Sequence, residues 1–343
     1  MGRLTRWHMH WRKTGPAVIW GVLITLLLSS CHHPYHQPNE RYMLVTVNIH
    51  QPYWVEAIAG FKHAASVLGV HAQVVGPDDY NPGQEVADFQ KAAASNPTGI
   101  LLAPAQAESF NAPVTAAIQN GIPVLTMDSD APASRRLLFI GTDNVKAGAE
   151  GAGHIAALLH GAGNVVIIAI AGQLNQQQRL QGAKQVLGAY PKIKVIATLN
   201  DDGRSGKAND EISELLAEKK KVNGILSLDA SGGPGAAEVL HRLDMKGRIQ
   251  IVAFDKNPET LDWISEGLIE GSVAQKPYTM GYFGLIFLDD LHHNAVHLFR
   301  NWRSAPASPL PERVDTGTAW VDSSNIAAFK AAIPSYQQPM NSF

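Results

Sequence analysis

From Tyr42 onward, the chain alternates short apolar runs with longer segments in which apolar residues recur at helical spacing. The apolar runs are continuous rather than alternating with polar residues, which is typical of parallel strands buried on both faces. The first helical segment ends at Gly69, a residue suited to a helix C-cap. The pattern predicts strands at Met43–Ile49, Ala72–Val75, Gly99–Leu102, Pro123–Met127, Asn164–Ile170, Lys194–Thr198, Gly224–Leu228 and Ile249–Phe254.

Strands that alternate with helices throughout the chain indicate the α/β class, here two doubly wound parallel-sheet domains. Two domains also fit the length of 343 residues, because a single hydrophobic core stops growing at about 250–300 residues. Hydrophobic residues make up 45% of the chain and charged residues 17%, as in ordinary globular proteins. The 28 basic residues nearly balance the 30 acidic ones and form no basic stripe in the globular part, so we expect no nucleic-acid partner.

Residues 1–30 have the pattern of an export signal. The apolar run Pro16–Leu28 follows a basic segment and is shorter than the ~20 residues that a membrane-spanning helix needs. It leads into "LSSC", which resembles the lipobox of bacterial lipoproteins. That resemblance implies that Cys31, the one cysteine of the chain, carries a lipid, and that the polar residues 31–41 form a tether. A buried or incidental cysteine is the alternative interpretation.

Polar or aromatic residues follow the predicted strands, at the edge where doubly wound sheets bind their ligands. The residues form no catalytic pattern, because the phosphate-loop spacing fails around "GRSGK" and no nucleophile elbow occurs. An Asp at such a position can also be a simple helix N-cap, which is the alternative for Asp128 and Asp229. The candidate ligand-binding residues are Gln51, Tyr53, Trp54, Asp128, Ser129, Asp130, Arg179, Asp229, Phe254, Asp255 and Gln275.

Seven segments follow one another along the chain: "QPYWVEAIAGFKHAASVLG", "GIPVLTMDSD", "FIGTDNVKAGAEGAG", "RLQGAK", "SLDASGGPGAAEVL", "IVAFDKNPET" and "GSVAQKPYTMG". Together and in this order, they resemble the periplasmic sugar-binding proteins of the ribose-binding type, which serve ABC transporters. The resemblance extends from about Tyr42 to Phe329 and implies a type 1 periplasmic binding protein fold, with two lobes joined by a three-strand hinge. It implies a first lobe of residues 42–143 plus 276–304 and a second lobe of residues 144–275 plus 310–330. The chain would cross between lobes near residues 142–145, near 275–277 and within 304–315.

The resemblance also implies roles for the candidates. Gln51 stands at the position of a pocket Asn, Tyr53 and Trp54 stand at those of an aromatic pair, and six others fall on sugar-contacting positions. Carboxylates, amides and a guanidinium suit hydroxyl groups, which both donate and accept hydrogen bonds. Ser129 departs from the family pattern, which has Arg there, so a hexose or a polyol fits as well as ribose. The six residues that stand at sugar-contacting positions of the family are Asp128, Arg179, Asp229, Phe254, Asp255 and Gln275.

The expected function is that of a lipid-anchored solute receptor, in the periplasm or at the cell-envelope face of the membrane, which delivers a sugar or polyol to an ABC transporter permease. A receptor that reports to a chemoreceptor or sensor kinase is the alternative. The ligand-sensing half of a repressor conflicts with the signal peptide, and an enzyme has no residue set to support it. We expect a monomer without cofactor or metal, and we interpret His293 and His297 as a solvated helix face and Asp143 and Asn144 as helix caps.

Overall fold

The computed structural model describes residues 35–293 and 308–337, together with Gly2. The chain divides into two units, Met1–Gln37 and Pro38–Phe343, and the architecture below is that of the second unit. Within its described part lie two six-stranded sheets with helices around them, which confirms the predicted fold class. None of the helices described here is long and apolar enough to cross a membrane. Pro16–Leu28, Cys31 and His297 lie outside the described residues.

The first sheet collects strands from the beginning of the unit and one from near its end. Its strands are β1 (Arg41–Val45), β2 (His71–Val75), β3 (Gly99–Leu102), β4 (Val124–Met127), β5 (Phe139–Gly141) and β11 (Arg313–Asp315). They pair in the order β11-β5-β4-β3-β1-β2, and every pair is parallel. The helices of this first lobe are α1 (Pro52–Leu68), α2 (Pro82–Ala94), α3 (Ala107–Gln119) and α9 (Pro277–His292).

The second sheet has the same plan. Its strands are β6 (Ala162–Ile168), β7 (Lys192–Leu199), β8 (Gly224–Ser227), β9 (Gln250–Phe254), β10 (Gly271–Ala274) and β12 (Ala319–Asp322). They pair in the order β12-β10-β9-β8-β6-β7, and only β12 runs antiparallel to its neighbour. The helices of this second lobe are α4 (Asn144–Leu158), α5 (Leu174–Gly188), α6 (Ser205–Ala217), α7 (Gly232–Arg242), α8 (Pro258–Glu266) and α10 (Ile326–Gln337).

All eight predicted strands are present; Gly99–Leu102 has the predicted bounds, and each of the other seven has at least one displaced end. The central strands β3, β4 and β8 are buried along their whole length, as their continuous apolar sequences predicted. The edge strands β2 and β7 are partly exposed instead, because each has a sheet neighbour on one side only. The prediction did not include β5, β10, β11 or β12, which are three or four residues long. Gly69 ends α1 with φ of 72°, which confirms the predicted C-cap.

The chain crosses between the lobes three times. The crossings lie between β5 and α4, between β10 and α9, and between β11 and β12, at residues 142–143, 275–276 and 316–318. The first two coincide with the sequence expectation, and Asp143 caps α4 as predicted by accepting from Lys146 N at 3.2 Å. The third is displaced. Residues 313–315, assigned from sequence to the second lobe, pair with β5 in the first sheet.

His293, which directly follows α9, is not on a solvated face. The Nε2 atom of His293 lies 3.2 Å from Glu40 Oε2 and 3.5 Å from Asp289 Oδ1, and the side chain is 14% exposed. This helix end is therefore tied to the residues that precede β1. The sequence interpretation failed here because Glu40 is distant along the chain.

Paired glycines let helices touch backbone to backbone in each lobe. In the second lobe, a Cβ added to Gly148 on α4 would lie 1.9 Å from the carbonyl oxygen of Arg179 on α5. A Cβ added to Gly182 on α5 would lie 1.9 Å from the carbonyl oxygen of Val145. These glycines have ordinary helical backbones, so the close approach of the two helices is what excludes a side chain. The backbone around Arg179 is therefore fixed against α4.

The first lobe uses the same device for α1 and α9. A Cβ on Gly60 would lie 2.0 Å from Tyr278 O, and one on Gly281 would lie 2.1 Å from Ala57 O. Both α4 and α9 begin directly after a crossing between the lobes. In each lobe, the helix that follows a crossing is therefore packed against a second helix too closely for the two to shift.

We predict that Gly148→Ala lowers the free energy of unfolding by roughly 1–3 kcal/mol, the usual cost of overpacking, because the new methyl meets main-chain atoms that cannot rotate away. Urea unfolding followed by circular dichroism measures this change. Gly153→Ala on the same helix is the matched control, since no atom lies within 4 Å of its Cβ position. That control should gain about 0.5–1 kcal/mol. Equal effects of the two substitutions would contradict the tight approach of α4 and α5.

Candidate functional site

A cavity of about 50 Å³ lies between the lobes, at the carboxyl ends of the strands. Eight of the eleven residues predicted from sequence line it. Four of them come from the first lobe, namely Gln51, Tyr53, Trp54 and Asp128. The other four come from the second lobe and the crossing at its end, namely Arg179, Asp229, Asp255 and Gln275. The structure therefore brings together residues from six separate points in the chain.

Two of the carboxylates occupy equivalent places in the two lobes. Asp128 follows β4 with φ of 62°, and Asp255 follows β9 with φ of 66°. Few residues other than glycine adopt such a backbone, and Asp is among those that tolerate it best. Backbones of this kind cluster at functional sites because the surrounding structure must hold them in place.

Asp128 is hydrogen-bonded from both sides of the cleft. Its Oδ1 accepts from Tyr53 Oη at 2.6 Å within the first lobe, and its Oδ2 accepts from Asn175 Nδ2 at 3.0 Å, across the cleft. Burial raises the pKa of Asp128, while the charge of Arg179 and the Tyr53 bond oppose that rise. Burial and the nearby carboxylates raise the pKa of Tyr53 well above its usual value. Tyr53 therefore remains a neutral donor at physiological pH.

Arg179 is the central side chain of the second-lobe wall. It is only 1% exposed. Its guanidinium donates from Nε to Asn144 Oδ1 at 2.8 Å, from Nη1 to Leu228 O at 2.8 Å and from Nη2 to Gln275 Oε1 at 2.7 Å. All three acceptors are neutral. Asn144, interpreted from sequence as a helix cap, instead orients Arg179, because it is the first residue of α4 and its side chain reaches α5.

Gln275 connects the arginine to the crossings. Its Oε1 accepts from Arg179 and also from Thr142 Oγ1 at 2.8 Å, and its Nε2 donates to Asp255 Oδ1 at 3.0 Å. Thr142 and Gln275 lie in the first and second crossings. Burial raises the pKa of Asp255 to about 6, against the opposing effects of Arg179 and of the Gln275 bond. This carboxyl is therefore ionised at neutral pH and protonated in mild acid.

Asp229 is both a helix cap and a wall residue. Its Oδ1 accepts from Ser231 N at 3.0 Å and from Gly232 N at 2.8 Å, at the start of α7, and from Ser227 Oγ at 3.2 Å. Asp229 therefore does cap the start of α7, as the alternative interpretation held. It also lines the cavity. The N-cap alternative for Asp128 has no counterpart in its contacts, which are to Tyr53 and Asn175.

Three predicted residues do not line the cavity. Asp130 accepts from Arg136 Nη2 at 2.6 Å and Nε at 2.8 Å and from Thr126 Oγ1 at 2.7 Å, which makes it part of a buried ion pair behind β4. Ser129 is buried beside it. Phe254 lies beneath the arginine, with its ring centroid 4.9 Å from Arg179 Cζ. It is thus placed to support the guanidinium rather than to cover a ligand.

The structure adds wall residues that the sequence interpretation missed. Tyr80 follows the edge strand β2, and the others belong to the first turn of α5 and to the loop after β8. Gln173 Nε2 donates to Tyr80 Oη at 2.9 Å, and Gln51 Nε2 donates to Ser231 Oγ at 3.3 Å, both across the cleft. The amide-rich stretch "GQLNQQQR" after a buried strand was the available signal. The missed polar residues are Tyr80, Gln173, Asn175, Gln176 and Ser231.

A salt bridge joins the lobes outside the cavity. Lys256 Nζ, after β9, contacts Glu56 Oε2 on α1, and each side chain is 13% exposed. Exposed ion pairs contribute little, but partly buried ones are less screened by salt. The cleft is therefore bridged by ionic as well as neutral contacts.

Two lobes that enclose a polar cavity and share three chain crossings define a two-lobed ligand-binding protein. A family model described as a periplasmic binding protein domain matches residues 42–292. The chain belongs to this family of periplasmic binding proteins, and membership implies an extracytoplasmic location.

Individual relatives agree with this assignment. The D-allose-binding periplasmic protein of Escherichia coli is 26% identical over 280 residues, which cover 79% of this chain and 89% of the relative. The crystal structure of a sugar ABC transporter sugar-binding protein from Bacillus halodurans is 34% identical, with a TM-score of 0.75, and the match covers 85% of this chain and 100% of that one. A solute-binding protein from Burkholderia graminis in complex with D-arabinose is 29% identical, with a TM-score of 0.77, covering 85% and 98%. These relatives are binding proteins of transport systems, not enzymes.

We predict that Arg179→Ala lowers the free energy of unfolding by more than about 2 kcal/mol, because three buried acceptors lose their charged donor. Thermal or urea unfolding measures the loss. Lys184→Ala, at an exposed position on the same helix, should change stability by less than about 0.5 kcal/mol. If the arginine variant is as stable as the lysine variant, the guanidinium does not hold the second-lobe wall together.

Proposed function

We propose that the protein is a lipid-anchored extracytoplasmic receptor, which captures a sugar or polyol between its lobes and delivers it to the permease of an ABC transporter. The observation that carries this proposal is the cavity itself, whose polar side chains come from both lobes and already bond to each other across the cleft. The relatives with sugar in their names or complexes support the same class of ligand.

The wall chemistry suits a polyhydroxylated ligand. Each hydroxyl of a sugar donates and accepts, and the cavity offers carboxylates as acceptors beside amides that do both. Hydrogen bonds to the ionised groups are about twice as strong as neutral ones. Trp54 and Tyr53, whose rings meet edge to face at 5.0 Å, provide apolar surface for the C–H faces of a sugar ring.

The contacts across the cleft suit a closing motion. The bonds from Asn175 to Asp128 and from Gln173 to Tyr80 join opposite lobes and would break if the lobes separated. A ligand in the cavity would bridge the same groups and so favour the closed arrangement. Rigid-body rotation about three crossings is a common way to achieve such closure.

The proposal is tested by a thermal-shift screen of the purified full-length protein in detergent against D-arabinose, D-ribose, D-allose and xylitol. A ligand at a hundred times its dissociation constant stabilises a protein by roughly 2.7 kcal/mol. At least one of these compounds should raise the melting temperature by several degrees in a concentration-dependent way. Turnover of the stabilising compound, or a shift from none of a wider panel of sugars and polyols, would refute the proposal.

We predict that Asp128→Asn weakens sugar binding by at least about thirtyfold, or ~2 kcal/mol, because the amide offers one acceptor oxygen where the carboxylate offers two. Isothermal titration calorimetry with the best compound of the screen measures the change. Asp130→Asn is the matched comparison two residues along. Since Asp130 is bound to Arg136 and Thr126, its substitution should lower stability and leave affinity within a few-fold. The reverse pattern would place the site on the other aspartate.

We predict that Cys31→Ser releases the protein from membranes while sugar binding is retained, because the proposed lipid and not the folded unit supplies attachment. Membrane and soluble fractions of a bacterial host, probed by immunoblot, measure the distribution. Ser29→Ala keeps the cysteine and should fractionate with membranes like the wild type. Sedimentation of the Cys31→Ser protein with membranes would contradict the lipid anchor.

A further inference from the structure

Two buried carboxyl groups of the second lobe each leave one oxygen without a hydrogen-bond donor. Asp201, in the loop after β7, has no solvent exposure; its Oδ1 accepts from Gly203 N at 3.0 Å, and its Oδ2 has no partner. Asp229 is 4% exposed and uses Oδ1 for the start of α7, while its Oδ2 has no partner. An unsatisfied buried carboxylate oxygen is costly, and two such atoms require a common explanation.

The loops that carry these groups are bound to each other. Ser231 Oγ donates to Gly203 O at 2.9 Å, so the turn after Asp201 is fixed against the turn after Asp229. The two carboxyls are close enough that the negative charge of Asp229 helps to raise the pKa of Asp201. Of the two residues, Asp229 lines the cavity and Asp201 does not.

The other charged groups around the pair are committed elsewhere. Arg179 on α5 donates to Leu228 O, Asn144 and Gln275. Asp202 is paired with Lys207 and Arg204 on the solvent side. Asp255 after β9 accepts from Gln275, and Tyr80 faces the pair from the first lobe, where it accepts from Gln173. None of them donates to either free oxygen.

We propose that Asp201 and Asp229 hold one proton between their Oδ2 atoms, and that Asp201 is thereby a positioning residue for ligand binding. The shared proton satisfies both free oxygens at once and removes one of the two negative charges from the floor of the cavity. It also fixes the orientation of the Asp229 carboxyl that lines the cavity. The inference deepens the proposed function and rests on it for the effect on binding, but not for the existence of the proton.

A shared proton makes a specific pH range informative. Burial, together with the charge of Asp229, raises the pKa of Asp201 to about 9. Above that pH two buried charges would repel each other beneath the ligand. Burial also raises the pKa values of Tyr53 and Tyr80 from their ordinary value of 10.0. The tyrosines of the wall therefore stay neutral while the pair loses its proton.

The test compares D-arabinose affinity at pH 8 and pH 10 by titration calorimetry. The wild type should bind at least about tenfold more weakly at pH 10. Asp201→Asn supplies a permanent N–H donor to Asp229, so it should bind like the wild type at pH 8 and keep that affinity at pH 10. Asp201→Ala should bind weakly at both. Asp202→Asn, on the same loop, is the control and should keep the wild-type profile. The proposal is overturned if Asp201→Asn loses affinity for D-arabinose between pH 8 and pH 10 as the wild type does. It is also overturned if the affinity of the wild type is the same at both pH values.

A ligand-free measurement separates this inference from the proposed function. Because the pKa of Asp201 is higher in the folded protein, the folded state binds the extra proton between about pH 4 and pH 9, and its contribution to the free energy of unfolding is lost as pH rises through that range. In Asp201→Asn, the free energy of unfolding should therefore fall less steeply between pH 4 and pH 9 than it does in the wild type. If D-arabinose fails to bind while the slopes differ, the sugar assignment fails and the shared proton stands. If the free energy of unfolding depends on pH in the same way in the wild type and in Asp201→Asn, the shared proton is overturned.

Discussion

The structure depends on a buried guanidinium that has no direct ion-pair partner among the carboxylates of the cavity. Arg179 donates to a helix start, to the end of β8 and to a chain crossing, and it lies over an aromatic ring of β9. Burial of a charge without hydrogen bonds would be prohibitive, so these neutral acceptors are required for the residue to be there at all. In return, one side chain fixes the relative positions of four elements of the second lobe. The nearby aspartates feel its charge without being bound to it, and so keep their oxygens available.

The carboxylates of the cavity outnumber its cations, and the protein manages this excess in different ways. Asp229 accepts hydrogen bonds from main-chain N–H groups at the start of α7. Asp128 is satisfied by a tyrosine hydroxyl and an amide, and burial shifts its pKa upward. Asp255 lies close enough to neutrality, with a pKa of about 6, that mild acid alters its charge. A cavity built in this way is rich in acceptors and should disfavour anionic ligands such as sugar acids, since they would add to the repulsion.

The sequence predicted the fold well because continuous apolar strands between amphipathic helices have few other solutions. It also located Asp128, Asp229, Asp255 and Gln275, since each lies within two residues of the end of a strand that must reach the cleft. The sequence did not predict the directions in which the side chains point. Asp130 and Phe254 stand next to strand ends, yet their side chains turn away from the cavity. Asn175 was missed because its partner, Asp128, is 47 residues away and belongs to the other lobe.

The glycine contacts between α4 and α5, and between α1 and α9, have a consequence for how such a protein can diversify. Where main chains touch directly, no side chain exists whose exchange could tilt the helices, so neutral drift in the core leaves the frame of the cavity unchanged. Loop residues at the strand ends carry no such constraint. New ligand preferences can therefore arise by exchange of a few wall residues, while the geometry in which those residues are presented is inherited intact.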